Sequence, residues 1–324
     1  MSRRDFPDWL EANCRALDRE IEAGHFGHAP LIPGPAGSGK RALADWLAAR
    51  LLCLAVEDGN PCGKCRACQL LASGTHPDFF RLALLEDKRE ILVDQVREFI
   101  GSLGLTPSIG RRRVGLIEPA DLLNRNAANA LLKTLEEPAD EVWLILVADR
   151  EDWLPATIRS RCQRRVIALP DPEVALDWLV RRHAGVDAGH CRLALELADG
   201  IPGLADQWLT DGGLERGLEI GRTLAAVLEG REIDSACIEQ WQQQPAESWR
   251  WLARYCRFWF DGLSGPVPEF LPGTHRPRGR AAAERLYKCW QSALEGYRLS
   301  ASPVRHDWLL RTWLTEWRHL AHSG

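Results

Sequence analysis

The sequence predicts an α/β domain built on a mainly parallel sheet, then a small helical domain and an all-helical C-terminal domain. Three observations predict it. Short apolar runs alternate with stretches of helical periodicity as far as residue 148, the pattern of strands joined by crossover helices. A glycine-rich loop, Gly34-Pro35-Ala36-Gly37-Ser38-Gly39-Lys40, stands between the first strand and the helix after it. Beyond Pro170 the strand signals fade while helical spacing continues. The domain boundaries expected from this are 1–169, 170–210 and 211–324.

The elements follow in order. Residues 6–24 carry Phe6, Trp9, Leu10, Cys14, Leu17 and Ile21 at steps of three or four, one face of a helix. His28–Ile32 is a short apolar run that ends in Gly and Pro, a buried strand entering a loop. Residues 40–54 return to helical spacing through Leu43, Trp46, Leu47 and Leu51. Phe79–Leu85 reads as a strand and Ile91–Leu103 as a helix opened by Val93-Asp94. Val114–Ile117 is a buried strand behind the basic triplet Arg111-Arg112-Arg113, and 124–137 is a helix stopped by Pro138. Val142–Ala148 is another apolar strand, and Trp153–Ile158 a short helical segment. Residues 172–210 read as short helices broken at Gly185 and Gly200. Longer helices follow from about 211, with a Gly/Pro-rich loop over 262–280. There is no internal repeat.

Composition bounds the function. A chain of 324 residues with 45% apolar and 27% charged residues folds into two or three domains. A net charge of −4 excludes a polybasic protein that coats nucleic acid. The first residues have no apolar signal core, and no run reaches the roughly 18 apolar residues of a membrane helix, so a cytoplasmic protein with reduced thiols is expected. Six of the ten cysteines are scattered and read as small core residues. Ten of the fourteen tryptophans lie after residue 170; they read as core, with Trp249, Trp251 and Trp259 also open as subunit-interface residues.

Three motifs carry chemistry. Gly34, Gly37, Gly39 and Lys40 fit G-x-x-x-x-G-K, a loop whose amides turn inward around phosphate and whose lysine neutralises it. Arg41 stands where Ser or Thr would ligate Mg2+, and a cation cannot do so. Val114-Gly115-Leu116-Ile117-Glu118-Pro119 lies where a hydrolysing ATPase carries a strand ending in Asp-Glu, and Pro119 cannot orient water. Two lesions at one centre point away from Mg2+-dependent hydrolysis, while binding of ATP or ADP stays open against a relic loop. The third motif is Cys53-x8-Cys62-x2-Cys65-x2-Cys68. Overlapping C-x2-C steps, with turns eased by Gly59, Pro61 and Gly63, bring thiolates to one ion. Four sulfurs with no open position indicate structural Zn2+, a redox C-x2-C being the lesser reading. Ser160-Arg161-Cys162 by itself reads as a surface charge at a domain edge.

Together these stretches resemble the AAA+ clamp-loader family of bacterial DNA polymerase III. The resemblance is carried by the phosphate loop and the four-cysteine insertion, and by Gly74-Thr75-His76-Pro77-Asp78 and Val93-Asp94-Gln95-Val96-Arg97. Asn129-Ala130-Leu131-Leu132-Lys133-Thr134-Leu135-Glu136-Glu137-Pro138 and Ser160-Arg161-Cys162 complete it. It spans residues 28–162; the C-terminal half adds only helicity and a weak similarity around Asp307–Trp313. The resemblance implies a P-loop (AAA+) fold with a helical lid and a helical collar. Within the family a gamma/tau motor keeps a full ATPase centre and a non-motor subunit has a degraded one. Arg41, Pro119, the arginine-free segment Gly200–Ala205 and a length without tau's tail all favour the non-motor subunit. The resemblance further implies that Arg161 acts as an arginine finger on ATP in a neighbouring gamma/tau subunit. It implies residues 211–324 in a collar with gamma/tau and delta, and a pentamer that opens the sliding clamp and places it on primed DNA. Arg111–Arg113 can either approach DNA phosphates or form a solvated loop. Competing readings are an active motor ATPase and an unrelated zinc-containing DNA-binding module, the latter disfavoured by the acidic balance.

Overall fold

The computed structural model describes residues 6–86, 88–261, 280–300 and 302–320; the loop expected over 262–280 lies outside them up to residue 279. The chain divides into two compact units, Met1–Gln207 and Trp208–Gly324.

The first unit holds a five-stranded, all-parallel sheet in the order β2-β3-β4-β1-β5. β1 (Pro30–Pro33), β2 (Phe79–Ala83), β3 (Arg113–Glu118), β4 (Val142–Ala148) and β5 (Gln163–Arg164) supply it. β3 is buried along its whole length and β4 nearly so, as strands covered on both faces must be. One face packs α1 (Glu11–Glu22) and α2 (Lys40–Leu52) through Leu17, Leu43, Leu47 and Leu51 onto Ile32, Val114, Leu116, Ile145 and Val147. The other packs α4 (Val93–Leu103) and α5 (Arg125–Glu136) through Val96, Phe99, Leu131 and Leu135 onto Leu31, Ile117, Leu144 and Leu146. The alternation of side chains along each strand divides the apolar residues between these two layers. Between α2 and β2 lies α3 (Arg66–Ala72), and after β4 comes α6 (Ala156–Arg159). α7 (Pro172–Arg182) and α8 (Ala188–Leu197) are capped by the carboxylates of Asp171 and Asp187, acceptors for amides that a helix start leaves unpaired. α9 (Pro202–Asp211) carries the chain into the second unit.

The run Gly74–Asp78 has a structural task in this unit. Asp78 is fully buried and accepts the amides of Ser108 at 2.7 Å and Ile109 at 2.6 Å, with Arg113 at 3.5 Å. Arg113 in turn donates to the carbonyls of Ser102 and Thr106. A buried carboxylate and a buried guanidinium thus satisfy each other and pin the turn between α4 and β3.

The second unit is helical among its described residues: α10 (Gly213–Leu228), α11 (Ser235–Gln243), α12 (Pro245–Asp261), α13 (Arg280–Leu299) and α14 (His306–Arg318). Its core is aromatic. Trp249, Trp251 and Trp259 of α12 are 1%, 2% and 9% exposed, so the described surroundings make them core residues. Trp251 and Tyr255, one turn apart, lie over Gly217 and Gly221, one turn apart on α10; a Cβ at these glycines would come within 2.2 Å of the Trp251 ring and 2.5 Å of the Tyr255 ring. The Tyr255 hydroxyl donates to the Gly217 carbonyl at 2.9 Å, and the Trp317 indole donates to the Leu224 carbonyl at 3.1 Å. α10 therefore gives up helix propensity to admit two large rings against its backbone. No helix among the described residues is long and apolar enough to cross a membrane.

Gly217→Ala gains about 1 kcal/mol of helix propensity but drives a methyl into a buried indole, at the severe end of overpacking, about 1–3 kcal/mol. Equilibrium urea unfolding is expected to show a net loss of about 1–2 kcal/mol; an equal or higher midpoint would contradict this packing.

Candidate functional site

The loop after β1 leaves the sheet at its carboxyl edge. Pro33 is in register with Ala148, and the Gly34 amide donates to the Ala148 carbonyl at 3.1 Å. That pairing sets the loop beside Asp149, the first residue after β4. Lys40, 3% exposed, points back under the loop: its ammonium donates to the Pro35 carbonyl at 2.9 Å and meets the Asp149 carboxylate at 2.5 Å. The amide of Asp149 is held by the carboxylate of Asp121 at 2.9 Å. Burial pushes the Asp121 carboxyl upward, partly offset by that amide.

The loop is packed from two sides. The Trp9 indole donates to the Ser38 carbonyl at 3.2 Å, and a Cβ on Gly39 would meet Leu10 and Trp9 at 3.2 Å. On the other side the Gly203 amide, at the start of α9, donates to the Gly37 carbonyl at 3.0 Å. Gly37 has φ +88°, and a Cβ there would lie 2.4 Å from the Leu204 nitrogen. Only glycine serves at Gly37, both for its left-handed backbone and for the backbone against it.

Arg41 and Glu118 are neighbours. Glu118, 6% exposed, pairs with the largely exposed Arg41 and, at 3.0 Å, with Arg81; Arg81 also pairs with Asp45. Glu118 is thus balanced by guanidinium groups. Pro119 follows it and offers no acceptor side chain.

The four cysteines meet. Cys53 caps the C-terminus of α2, Cys62 and Cys65 lie in the connection, and Cys68 is on α3. Their sulfurs all lie within 4.8 Å of one another. The chain turns through Gly59 and Gly63, both at positive φ. Amides donate to sulfur in sequence, Cys62 to Cys53 at 3.3 Å, Cys65 to Cys62 at 3.3 Å and Cys68 to Cys65 at 3.5 Å. At Cys65 burial pushes the thiol upward, but the amides of Cys68 and Leu54 and the neighbouring thiols more than offset it and bring it down to about 6. Such a cluster, closed and rich in sulfur, could hold a metal ion. The module is tied to α2 by the Trp46 indole, which donates to the Asn60 side chain at 3.1 Å.

Arg161 sits elsewhere. It follows α6 and precedes β5, and Gln163 is in register with Pro30 at the start of β1. Arg161 therefore lies at the amino edge of the sheet, opposite the edge that carries the loop; four residues of strand make about 13 Å between these edges. Cys162 packs into the core layer of α4 and α5, while the guanidinium, 35% exposed, turns outward. Sequence reasoning missed Asp149, Asp121, Arg81 and Trp9, whose roles come from tertiary proximity; Gly203, a glycine in the first turn of a helix, was the one local signal.

A family model described as DNA polymerase III, delta subunit, matches residues 9–171. The chain is 41% identical over 241 residues to DNA polymerase III subunit delta' of Pseudomonas aeruginosa, covering 74% of this chain and 73% of that one. It is 40% identical over 197 residues to subunit delta' of Escherichia coli, covering 61% and 59%. It is 35% identical over 147 residues to subunit tau of Escherichia coli, covering 45% and 22%.

Titration with Co2+ is expected to give the visible absorption and sulfur-to-metal charge-transfer bands of a tetrahedral thiolate site, one ion per chain. Cys65→Ser should weaken both. Spectra of an octahedral, oxygen-ligated ion would contradict the cluster.

Proposed function

The chain belongs to the DNA polymerase III delta-prime family, and from that premise we propose that it is the non-motor subunit of a clamp-loader complex. In this reading it works in the cytoplasm with gamma/tau and delta subunits, through a collar formed by residues 211–324, to load the sliding clamp onto primed DNA. Its contribution to ATP hydrolysis is made in trans: Arg161 supplies its guanidinium to the phosphates of ATP held by a neighbouring gamma/tau subunit. A permanently charged planar fork suits that task, because it stabilises charge on the transferring phosphoryl group.

The observation that carries this reading is the opposition of the two sheet edges. At the carboxyl edge the lysine is taken by Asp149, and Glu118 is taken by Arg41 and Arg81. At the amino edge an arginine is turned outward beside an anchored Cys162. An arginine on that edge does not face its own loop, which supports action on another subunit. The filled carboxyl edge supports a loop kept for folding, without Mg2+ and without turnover. A structural Zn2+ held by Cys53, Cys62, Cys65 and Cys68 would close the connection between α2 and α3 and stabilise the fold around it. It leaves no coordination position for a substrate.

Three outcomes are expected. The isolated chain shows no Mg2+-dependent ATP turnover; turnover comparable to a gamma/tau motor would overturn the reading of Arg41 and Pro119. In the reconstituted complex Arg161→Ala leaves assembly intact by gel filtration and lowers the DNA- and clamp-stimulated kcat, with KM for ATP little changed. Unchanged kcat in an assembled complex would remove the finger. Chelation of zinc is expected to lower the Tm of the chain; an identical Tm with metal demonstrably stripped would make the site dispensable for folding.

A further inference from the structure

The run Leu131–Pro138 is the most distinctive stretch of the first unit, and the function above assigns none of its residues. Its Leu131 and Leu135 are core. Glu136, the last residue of α5, is half exposed and has another role to explain. α5 ends at the amino edge of the sheet: the His28 ring donates from Nε2 to the Leu135 carbonyl at 3.0 Å, just before β1 begins. This brings Glu136 beside Arg161, 25 residues further along the chain.

The contact is specific in its geometry. Nε of Arg161 donates to Oε1 of Glu136 at 2.7 Å, and Nη2 of the same guanidinium pairs with the same oxygen. Nη1 donates to the Thr157 carbonyl at 3.0 Å and lies 3.4 Å from the Ser160 hydroxyl. Glu136 therefore occupies the side edge of the fork, and the carbonyl one turn back on α6 fixes its inner nitrogen. The end-on hydrogen of Nη2 has no acceptor among the described residues. A flexible side chain is held at three of its corners with one donor directed away. Because both partners are partly solvated, at 35% and 49% exposure, such a pair adds little to stability. What it restricts is rotamer freedom, which an arginine must otherwise lose when it meets a phosphate.

We propose that Glu136 is the positioning residue of Arg161: it holds the guanidinium by its side edge so that the end edge is presented to the neighbouring subunit's nucleotide. This rests on the reading of Arg161 as a finger in trans. Glu136 itself touches no phosphate.

The test uses the full complex with gamma/tau and delta subunits and four versions of this chain: E136A, E136Q, R161A and the double variant E136A/R161A. Steady-state ATP turnover is measured with clamp and primed DNA, and assembly and Tm alongside. E136A is expected to lose about half or more of the turnover that R161A loses, with KM for ATP within about twofold of wild type. E136Q keeps an acceptor oxygen and is expected to recover most of the loss. In the R161A background E136A should have no further effect, the mark of two residues acting as one unit. Wild-type kcat in E136A beside a lowered kcat in R161A would overturn the proposal and leave the finger standing. So would an E136A deficit that persists in full without Arg161, which would mean a loosened α5, or a raised kcat, which would mean that Glu136 restrains the arginine. Should E136A fail to assemble, E136Q alone and in the R161A background is judged by the same criteria. Unchanged turnover in R161A would fail the finger itself, and Glu136 with it.

Discussion

A lysine with 3% of its surface exposed has to be met by an anion, and which anion meets it decides the character of the site around it. In a working phosphate loop the counter-charge arrives with the ligand. Here it is built in: Asp149 follows β4, β4 is in register with β1, and the amide of Asp149 is fixed by buried Asp121. Withdrawing that carboxylate would leave an unpaired buried ammonium, a cost of about 3–5 kcal/mol. The same logic governs Glu118, whose neighbours Arg41 and Arg81 supply the positive charge that a metal would. Each charge of the centre is thus answered within the chain. The packing of Trp9 and Gly203 against the loop follows from an interior that is already neutral and has no need of solvent access.

The parallel sheet separates this quiet edge from a second one. Both edges are assembled from residues that flank the same strands, yet they differ in what covers them. At the carboxyl edge the backbone of Gly203 reaches the loop. At the amino edge α5 ends and α6 turns, leaving polar side chains half in water. The helical second unit obeys a different economy, in which bulky rings are accommodated by removing side chains from the facing helix.

Much of this was legible in the residues. The alternation of apolar runs and amphipathic helices located β1, β3 and β4, α2, α4 and α5 to within a few positions, because buried parallel strands are apolar throughout and surface helices are not. The cysteine spacing identified the four sulfurs that converge. β5 was invisible, since Gln163 and Arg164 are polar and exposed and make only two register pairs. α3 was hidden within the cysteine module, too short at seven residues for a period to show. Arg41 stands out in the sequence as a departure from a pattern and Glu118 as the acid that ends a strand, but their pairing, like that of Lys40 with Asp149, is a property of strand order and cannot be read from spacing. The same holds for Gly217 and Gly221, which look like weak points in a helix until Trp251 and Tyr255 are set over them.

α2 begins at Lys40 and ends at Leu52, with the loop glycine Gly39 before it and Cys53 after it. Thirteen residues of helix measure about 20 Å, and Leu43, Leu47 and Leu51 fasten it to the sheet along the way. The two motifs that sequence presents as unrelated, a glycine loop and a thiol cluster, are the two ends of a single stiff rod. The loop and the thiol cluster therefore share one support, and the leucines that fasten α2 to the sheet hold both in place. The spacing between the two motifs in space is thus set by the length of this one helix.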